Sequence, residues 1–297
     1  MECAPSNQHV AESPKLRTSQ RGAIGPRLLC YLGAAALFWP ILLCSRPAMA
    51  EERLELPGYV WAQTRHPSNL LGEEAHNTIV YAGFQQGVNW PRLSPSLTLN
   101  TFVEGNYSAD RDKFDYNNQT RIGVGAQLTY QMGKWGDLHV GVRYDTDHRP
   151  VSNVTYEGLV TFARWRSVWP PPSEAMTTPS HLTLEGEAEA LYPSSLEPQE
   201  EDNPLLQARG QVGYDIWRSR NRRIAGNVFG EVQFKVDGDE IDRYNSVQVA
   251  GGLKTRMIVS ENAYVELGVQ YAHERRWASD TDRSGAGAFA NLVWWWW

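Results

Sequence analysis

The feature that most constrains this chain is apolar–polar alternation with a period of two, repeated along almost the whole length after residue 50. In its cleanest copy, Thr120, Ile122, Val124, Ala126, Leu128 and Tyr130 alternate with Arg121, Gly123, Gly125, Gln127, Thr129 and Gln131. In an extended strand this pattern places one set on each face, whereas a helix would scatter both sets around its axis. Further copies are Leu138–Tyr144, Leu182–Tyr192, Leu206–Ile216, Ile224–Phe234 and Ala263–Tyr271. Less regular members cover 58–66, 77–90, 96–107, 154–167, 245–258 and 284–297, making twelve in all. No helical stripe of useful length interrupts them, so the chain is read as all-β.

The connectors alternate in character. Those at 91–95, 132–137, 218–223 and 259–262 are short and that at 168–180 is longer, whereas 67–76, 108–119, 193–204, 237–244 and 277–283 carry Asp, Glu, Asn and Ser. An even strand count with short turns on one rim and longer loops on the other predicts a transmembrane antiparallel up-and-down β-barrel of about 12 strands, both termini on the short-turn side. A secreted β-sandwich also alternates, with its apolar face inward. Three features favour the membrane. The repeats run about 10 to 13 residues, enough for a tilted bilayer crossing. Their apolar faces end in aromatics, Tyr107, Tyr144, Tyr192 and Tyr271 toward the longer loops and Trp90, Tyr130, Phe162, Tyr214 and the final tryptophans toward the short turns, as at two membrane interfaces. The polar faces hold more charge than a half-wet sheet would, which suits a watery lumen.

The N-terminal segment is different. The uncharged run Leu28–Ser45 lies between Arg27 and Arg46 and is followed by Ala48-Met49-Ala50. This reads as a secretory signal peptide over 1–50, then a short segment 51–56 and the barrel over 57–297. A retained anchor is the rival reading. A lipoprotein fits less well, because Leu29 and Leu43 precede the candidate cysteines where a small residue is wanted. Cys3, Cys30 and Cys44 all precede residue 51, leaving no later thiol for a disulfide or a zinc site. Of the chain's 28 Lys and Arg and 34 Asp and Glu, residues 1–50 hold 5 and 2, so the rest carries −9. Such a balance argues against a nucleic-acid partner.

The carboxyl end adds a fourth feature. Phe289, Asn291, Val293, Trp295 and Trp297 share one face of the last strand, and the chain stops on an aromatic. This resembles the C-terminal signal of bacterial outer-membrane β-barrel proteins, with Asn291 departing at a normally apolar position. The resemblance implies a Gram-negative outer-membrane location after export, reading by the barrel-assembly machinery, and outer-membrane lipids and lipopolysaccharide as neighbours. The segments Gly251–Arg256 and Tyr264–Tyr271 are also similar to the C-terminal barrel of the bacteriophage N4 adsorption protein A family.

With Tyr107 and Tyr144 facing lipid, parity places Glu104, Arg121, His139, Arg143, Asp145, Glu157, Glu185, Glu187, Glu189, Arg209, Glu231, Lys235, Lys254, Arg256 and Glu266 in the lumen, with Asp147, Asp215 and Glu274 beside them. This acidic, mixed interior predicts ion pairs across a narrow lumen ahead of a cation-biased, porin-like pore. The expected function is a small channel or a loop-displaying surface protein. A barrel component of an exopolysaccharide export system, with its export partners, is an alternative, although a polyanion path should be lined by Arg and Lys. Acidic clusters in the longer loops read as solvated turns ahead of calcium sites, and no segment completes a calcium-binding loop.

One catalytic alternative remains. His66-Pro67-Ser68-Asn69 resembles the His-x-Ser-Asn element of outer-membrane phospholipase and lipid A deacylase barrels, which implies a lipid hydrolase with His66 and Ser68 in the catalytic roles. Pro67 and the lack of an acid partner speak against it, so no enzymatic activity, no cofactor and no metal are expected.

Overall fold

The computed structural model describes residues 54–70, 72–170, 174, 180–198, 200 and 202–296. The signal peptide expected over 1–50, the residues 51–53 and Trp297 lie outside them. Twelve strands follow in order: β1 (Gly58–His66), β2 (Ile79–Asn89), β3 (Leu97–Asp110), β4 (Gln119–Gln131), β5 (Asp137–Arg149), β6 (Val154–Trp169), β7 (Leu182–Tyr192), β8 (Leu205–Arg218), β9 (Ile224–Asp237), β10 (Ser246–Ser260), β11 (Ala263–Arg276) and β12 (Thr281–Trp296). Each pairs antiparallel with its sequence neighbours, and β1 closes on β12 with Gly58 opposite Trp296, so the sheet is a closed up-and-down barrel without an edge. Both described ends of the chain lie on the short-turn rim. The tight turn between β4 and β5 depends on Gly136, whose φ of +87° and 1.9 Å approach of Arg166 O to where a Cβ would stand exclude any side chain.

The barrel is inverted with respect to a soluble protein. Outward positions carry exposed apolar side chains, among them Val124, Val142, Leu159, Val212 and Val269. Inward positions carry buried polar ones, among them Asn100, Glu104, Gln127, Arg143, Asp145, Glu231 and Lys254. An apolar outer wall on a closed sheet is what a lipid environment requires, since closure pairs strand backbone within the wall; the loop-rim ends of β6, before Thr161, and of β12, before Ala288, extend past the partner strand at the two seams. Tyr107, Tyr144, Tyr192 and Tyr271 form an exposed outer ring toward the loop rim, and Tyr130, Tyr214, Trp217 and Trp294 one toward the other.

Two strands run opposite to the expected parity. Phe162 of β6 is buried inside the barrel, edge-on to Phe102 at 6.0 Å, with the Arg143 and Arg164 guanidinium groups over its ring. The reason lies in the same strand: Arg164 and Arg166 share the parity of Phe162, and they need the interior more than the ring needs lipid. In β12 the face of Phe289, Asn291, Val293 and Trp295 also turns inward. Phe289 packs edge-on against Phe229, and Trp295 tilts against Tyr264. The outward face is Ala286, Ala288, Ala290, Leu292, Trp294 and Trp296, and Asn291, anomalous if lipid-facing, lies beside Glu266 at 3.5 Å.

The barrel is built twice from one six-stranded unit. The outer loops run over 67–78, 111–118 and 150–153, then over 193–204, 238–245 and 277–280, so each half shows the same descending series of lengths. Contacts repeat at a spacing of 126 residues through the first loop and 127 beyond it. Asn77 Nδ2 donates to Asp110 Oδ2 at 2.7 Å, and Asn203 Nδ2 to Asp237 Oδ2 at 2.7 Å. Asn118 and Asn245 donate to the other oxygens of the same two carboxylates. Ser152 N donates to Asp115 at 2.9 Å, and Ser279 N to Asp242 at 3.1 Å. The left-handed residues correspond as well, Lys113 with Glu240 and Asn153 with Asp280.

Candidate functional site

Two regions of the barrel concentrate polar chemistry, the lumen and the outer mouth. In the lumen, Arg143 from β5 reaches Glu104 of β3 at 2.8 Å and Asp145 of its own strand at 2.8 Å, and Asp145 also faces Arg121 at 3.8 Å. Arg164 of β6 spans to Glu104 at 3.1 Å and pairs with Glu189 of β7. A second bank joins Lys254 and Arg256 of β10 to Glu266 of β11 at 3.0 and 2.7 Å, and both reach Glu185 of β7. Gln211 ties the second bank to Glu231, which in turn takes Arg209 at 2.7 Å. The side chains of Arg143, Asp145 and Lys254 are each only 1% exposed, so these charges form a packed polar core. Burial of this kind is tolerated because each charge has partners on two sides.

Of the side chains expected in the lumen, Glu104, Arg121, His139, Arg143, Asp145, Glu185, Glu187, Glu189, Arg209, Glu231, Lys235, Lys254, Arg256 and Glu266 occupy inward positions, as do Asp147, Asp215 and Glu274. Glu157 does not. It is on the exposed outer face of β6, where Tyr144 Oη donates to it at 3.3 Å, a consequence of the reversed parity of that strand.

At the mouth, the first loop of each half folds into the barrel. Leu70 approaches the inward position of Gly285 on β12, and Leu196 that of Gly158 on β6, with Cδ2 atoms 3.0 and 2.8 Å from where Cβ atoms would stand. Glu197, in the first loop of the second half, pairs with Arg149 inside the rim. The loop acids are engaged in structure. Glu74 accepts from Ser68, Tyr116 and Asn117, and Asp110 from Asn77, Asn117, Asn118 and the Phe114 N–H. Burial raises the affinity of Asp242 for its proton, but hydrogen bonds from Ser279 and Arg276, with the Arg276 charge, outweigh that and hold its pKa below the usual carboxylate range. Burial together with the Glu74 hydrogen bond and charge pushes the Tyr116 phenol up. Among the described residues no three His, Cys, Asp or Glu side chains converge as a metal site.

His66 and Ser68 stand at the same loop with separate partners. The His66 ring contacts Thr78 Oγ1 at 3.0 Å through Nδ1, and Ser68 Oγ donates to the Glu74 carbonyl and carboxylate, each at 3.3 Å. The Pro67-Ser68 pair recurs as Pro193-Ser194 in the other half, where both Ser68 N and Ser194 N donate to the carbonyl of the loop-closing asparagine. That recurrence makes it part of the loop scaffold. Sequence reasoning missed the repeat, whose signal was Pro-Ser-x-Leu at 67–70 and 193–196 and Asp-x-Asp-x-x-Asp at 110–115 and 237–242.

No known family profile matches the chain, and no curated protein does, so the likeness to the phage N4 adsorption protein A barrel rests on the quoted residues alone. Similar solved structures include the β domain of the Bordetella autotransporter Brka, at 11% identity over 81% of this chain and 98% of that one, TM-score 0.37. The transport unit of the autotransporter AIDA-I from Escherichia coli aligns at 12% identity over 88% and 97%, TM-score 0.37. The outer membrane channel DcaP of Acinetobacter baumannii aligns at 8% identity over 82% and 97%, TM-score 0.35.

Proposed function

We propose that this chain is an outer-membrane barrel whose lumen is obstructed by its own ion pairs, and that it works at its outer surface. The observation that carries this reading is Arg143, 1% exposed, locked between Glu104 and Asp145 and packed on Phe162 in the middle of the interior. A guanidinium so held blocks the space it fills, and its charge is cancelled locally. Lipid-facing walls, two aromatic rings and closure without an edge support the membrane placement. Planar-bilayer recording with the purified barrel tests the reading: a silent bilayer supports it, and steady conductance overturns it.

A narrow solute path is the second reading, favoured by one observation. Glu187 and Arg209, at inward positions, have side chains 52% and 32% exposed, so part of the interior is open to water.

A further inference from the structure

On the outer wall near the loop rim, β11 and β12 join a serine, an imidazole and a carboxylate in one chain of contacts. His273 and Ser284 are direct cross-strand partners, and Asp282 precedes Ser284 by two residues on the same face. Ser284 Oγ is 2.8 Å from His273 Nδ1, and His273 Nε2 is 2.9 Å from Asp282 Oδ1. Arg275 Nη1 holds the remaining carboxylate oxygen at 3.2 Å. A carboxylate only accepts, so the proton of the neutral ring resides on Nε2. Nδ1 then carries the lone pair, and the Ser284 hydroxyl donates to it. In this arrangement an imidazole serves as base to a serine nucleophile while a carboxylate fixes its tautomer.

The position suits a lipid substrate. The His273 and Asp282 side chains are 53% and 47% exposed, on the outward face. Tyr271, a member of the outer aromatic ring, is two residues away on the same face of β11. Two residues of a tilted strand rise about 5 Å along the membrane normal. The serine is therefore just beyond the ring, at the level where acyl chains join their headgroups. Toward the membrane centre from Ser284, the outward positions of β12 are the small side chains Ala286, Ala288 and Ala290, opposite Tyr271, Val269 and Leu267 of β11.

The six-stranded repeat separates this cluster from the scaffold. Arg276 with Asp242 and Ser279 has its counterpart in Arg149 with Asp115 and Ser152. The positions matching His273, Asp282 and Ser284 are instead Thr146, Thr155 and Glu157, which supply neither imidazole nor serine. The first half has an imidazole–hydroxyl contact there, His148 Nδ1 with Thr155 Oγ1 at 3.1 Å, but the full chain of serine, imidazole and carboxylate is confined to the second half.

We propose that Ser284, His273 and Asp282 form a hydrolytic site for acyl esters of outer-leaflet lipids. Ser284 Oγ attacks the ester carbonyl carbon as His273 Nδ1 takes its proton. The C–O bond to the alcohol breaks, and the alcohol leaves with that proton. Water then adds to the acyl-serine, again giving its proton to His273, and release of the fatty acid restores Ser284. The proposal rests on the lipid-facing orientation of the wall.

The test uses the mature chain refolded in detergent, with heat-modifiable gel mobility reporting barrel closure separately from chemistry. An alkyl fluorophosphonate is expected to label Ser284, located by peptide mass spectrometry, and diacyl phosphatidylethanolamine in mixed micelles to release fatty acid. Both signals fall at least about a hundredfold in Ser284→Ala and His273→Gln with mobility unchanged. Asp282→Asn lowers kcat and leaves KM in place. Folded wild-type barrel that is unlabelled at Ser284, labelled at Ser68 instead, or still labelled in His273→Gln overturns the proposal. Loss of the mobility shift in the wild type overturns the barrel reading beneath it.

Discussion

Asp110 and Asp237 occupy equivalent places in the two halves of the barrel, each receiving an asparagine from the preceding loop and another from the end of its own loop. Each also accepts a backbone N–H four residues on, from Phe114 and Ile241, both at 3.1 Å. One carboxylate thus closes two loops at once, and the barrel contains the device twice.

Removing either carboxylate should therefore cost a similar amount. Asn77 and Asn203 are fully buried, and without their acceptor each leaves an amide unpaired at a cost of about 1–3 kcal/mol. Asp110→Ala and Asp237→Ala are expected to lower the urea midpoint by comparable amounts, each more than Asp112→Ala. Unequal effects, or no effect, in equilibrium unfolding from micelles would refute the equivalence.

Breaking the lumen lattice should both destabilise and open the barrel. Arg143→Ala partly strands Glu104 and Asp145, which keep only Arg164 at 3.1 Å and Arg121 at 3.8 Å, so the loss should approach the roughly 3–5 kcal/mol typical of a buried pair that loses one partner outright. Adding Glu104→Gln and Asp145→Asn removes the stranded charges and should recover part of that loss. Bilayer recordings are expected to change from silent in the wild type to conducting in Arg143→Ala.

The second loop of the second half should respond to acid. The pKa of Asp242 is lower in the folded state than its unfolded value near 3.9, so the stability it contributes is present above that value and disappears as pH falls through the lower folded pKa. Hydrogen exchange at Ser279, whose N–H donates to Asp242 at 3.1 Å, should be protected at pH 6 and accelerate beyond the intrinsic pH trend below about pH 3.9. Asp242→Asn should remove most of that acid step.

Strand number, connectivity and the outward tyrosines were legible because a lipid-facing wall imposes alternation residue by residue. The faces of β6 and β12 were not, because one face of each carries aromatics and polar groups together, and an aromatic suits a membrane interface as well as a packed lumen. Phe162 and Phe289 are equivalent inward positions that fill the lumen beside Phe102 and Phe229. Arg164 and Asn291, two residues further on, carried the right parity signal. Ion-pair partners such as Arg164 with Glu104 were also out of reach, since parity gives a face but not which strands meet across a lumen. The outer-wall triad escaped notice because Ser284 and His273 come together only through the β11–β12 register.

The repeat predicts that the barrel can be assembled from two pieces. A six-stranded half is below the eight strands of the smallest barrels and exposes an unpaired edge on each side. The two seams differ in charge. At β6–β7, Arg164 is opposite Glu189 and Arg166 opposite Glu187, whereas at β12–β1 Asn291 is opposite Gln63 and Val293 opposite Trp61. Pairing two first halves would set Arg164 against Gln63, and pairing two second halves would set Asn291 against Glu189, each losing the matched charges. Chains cut between β6 and β7 and refolded together should give a heat-modifiable 1:1 complex, while either half alone gives little. Equal yields from a single half would show that seam charge does not select the partner.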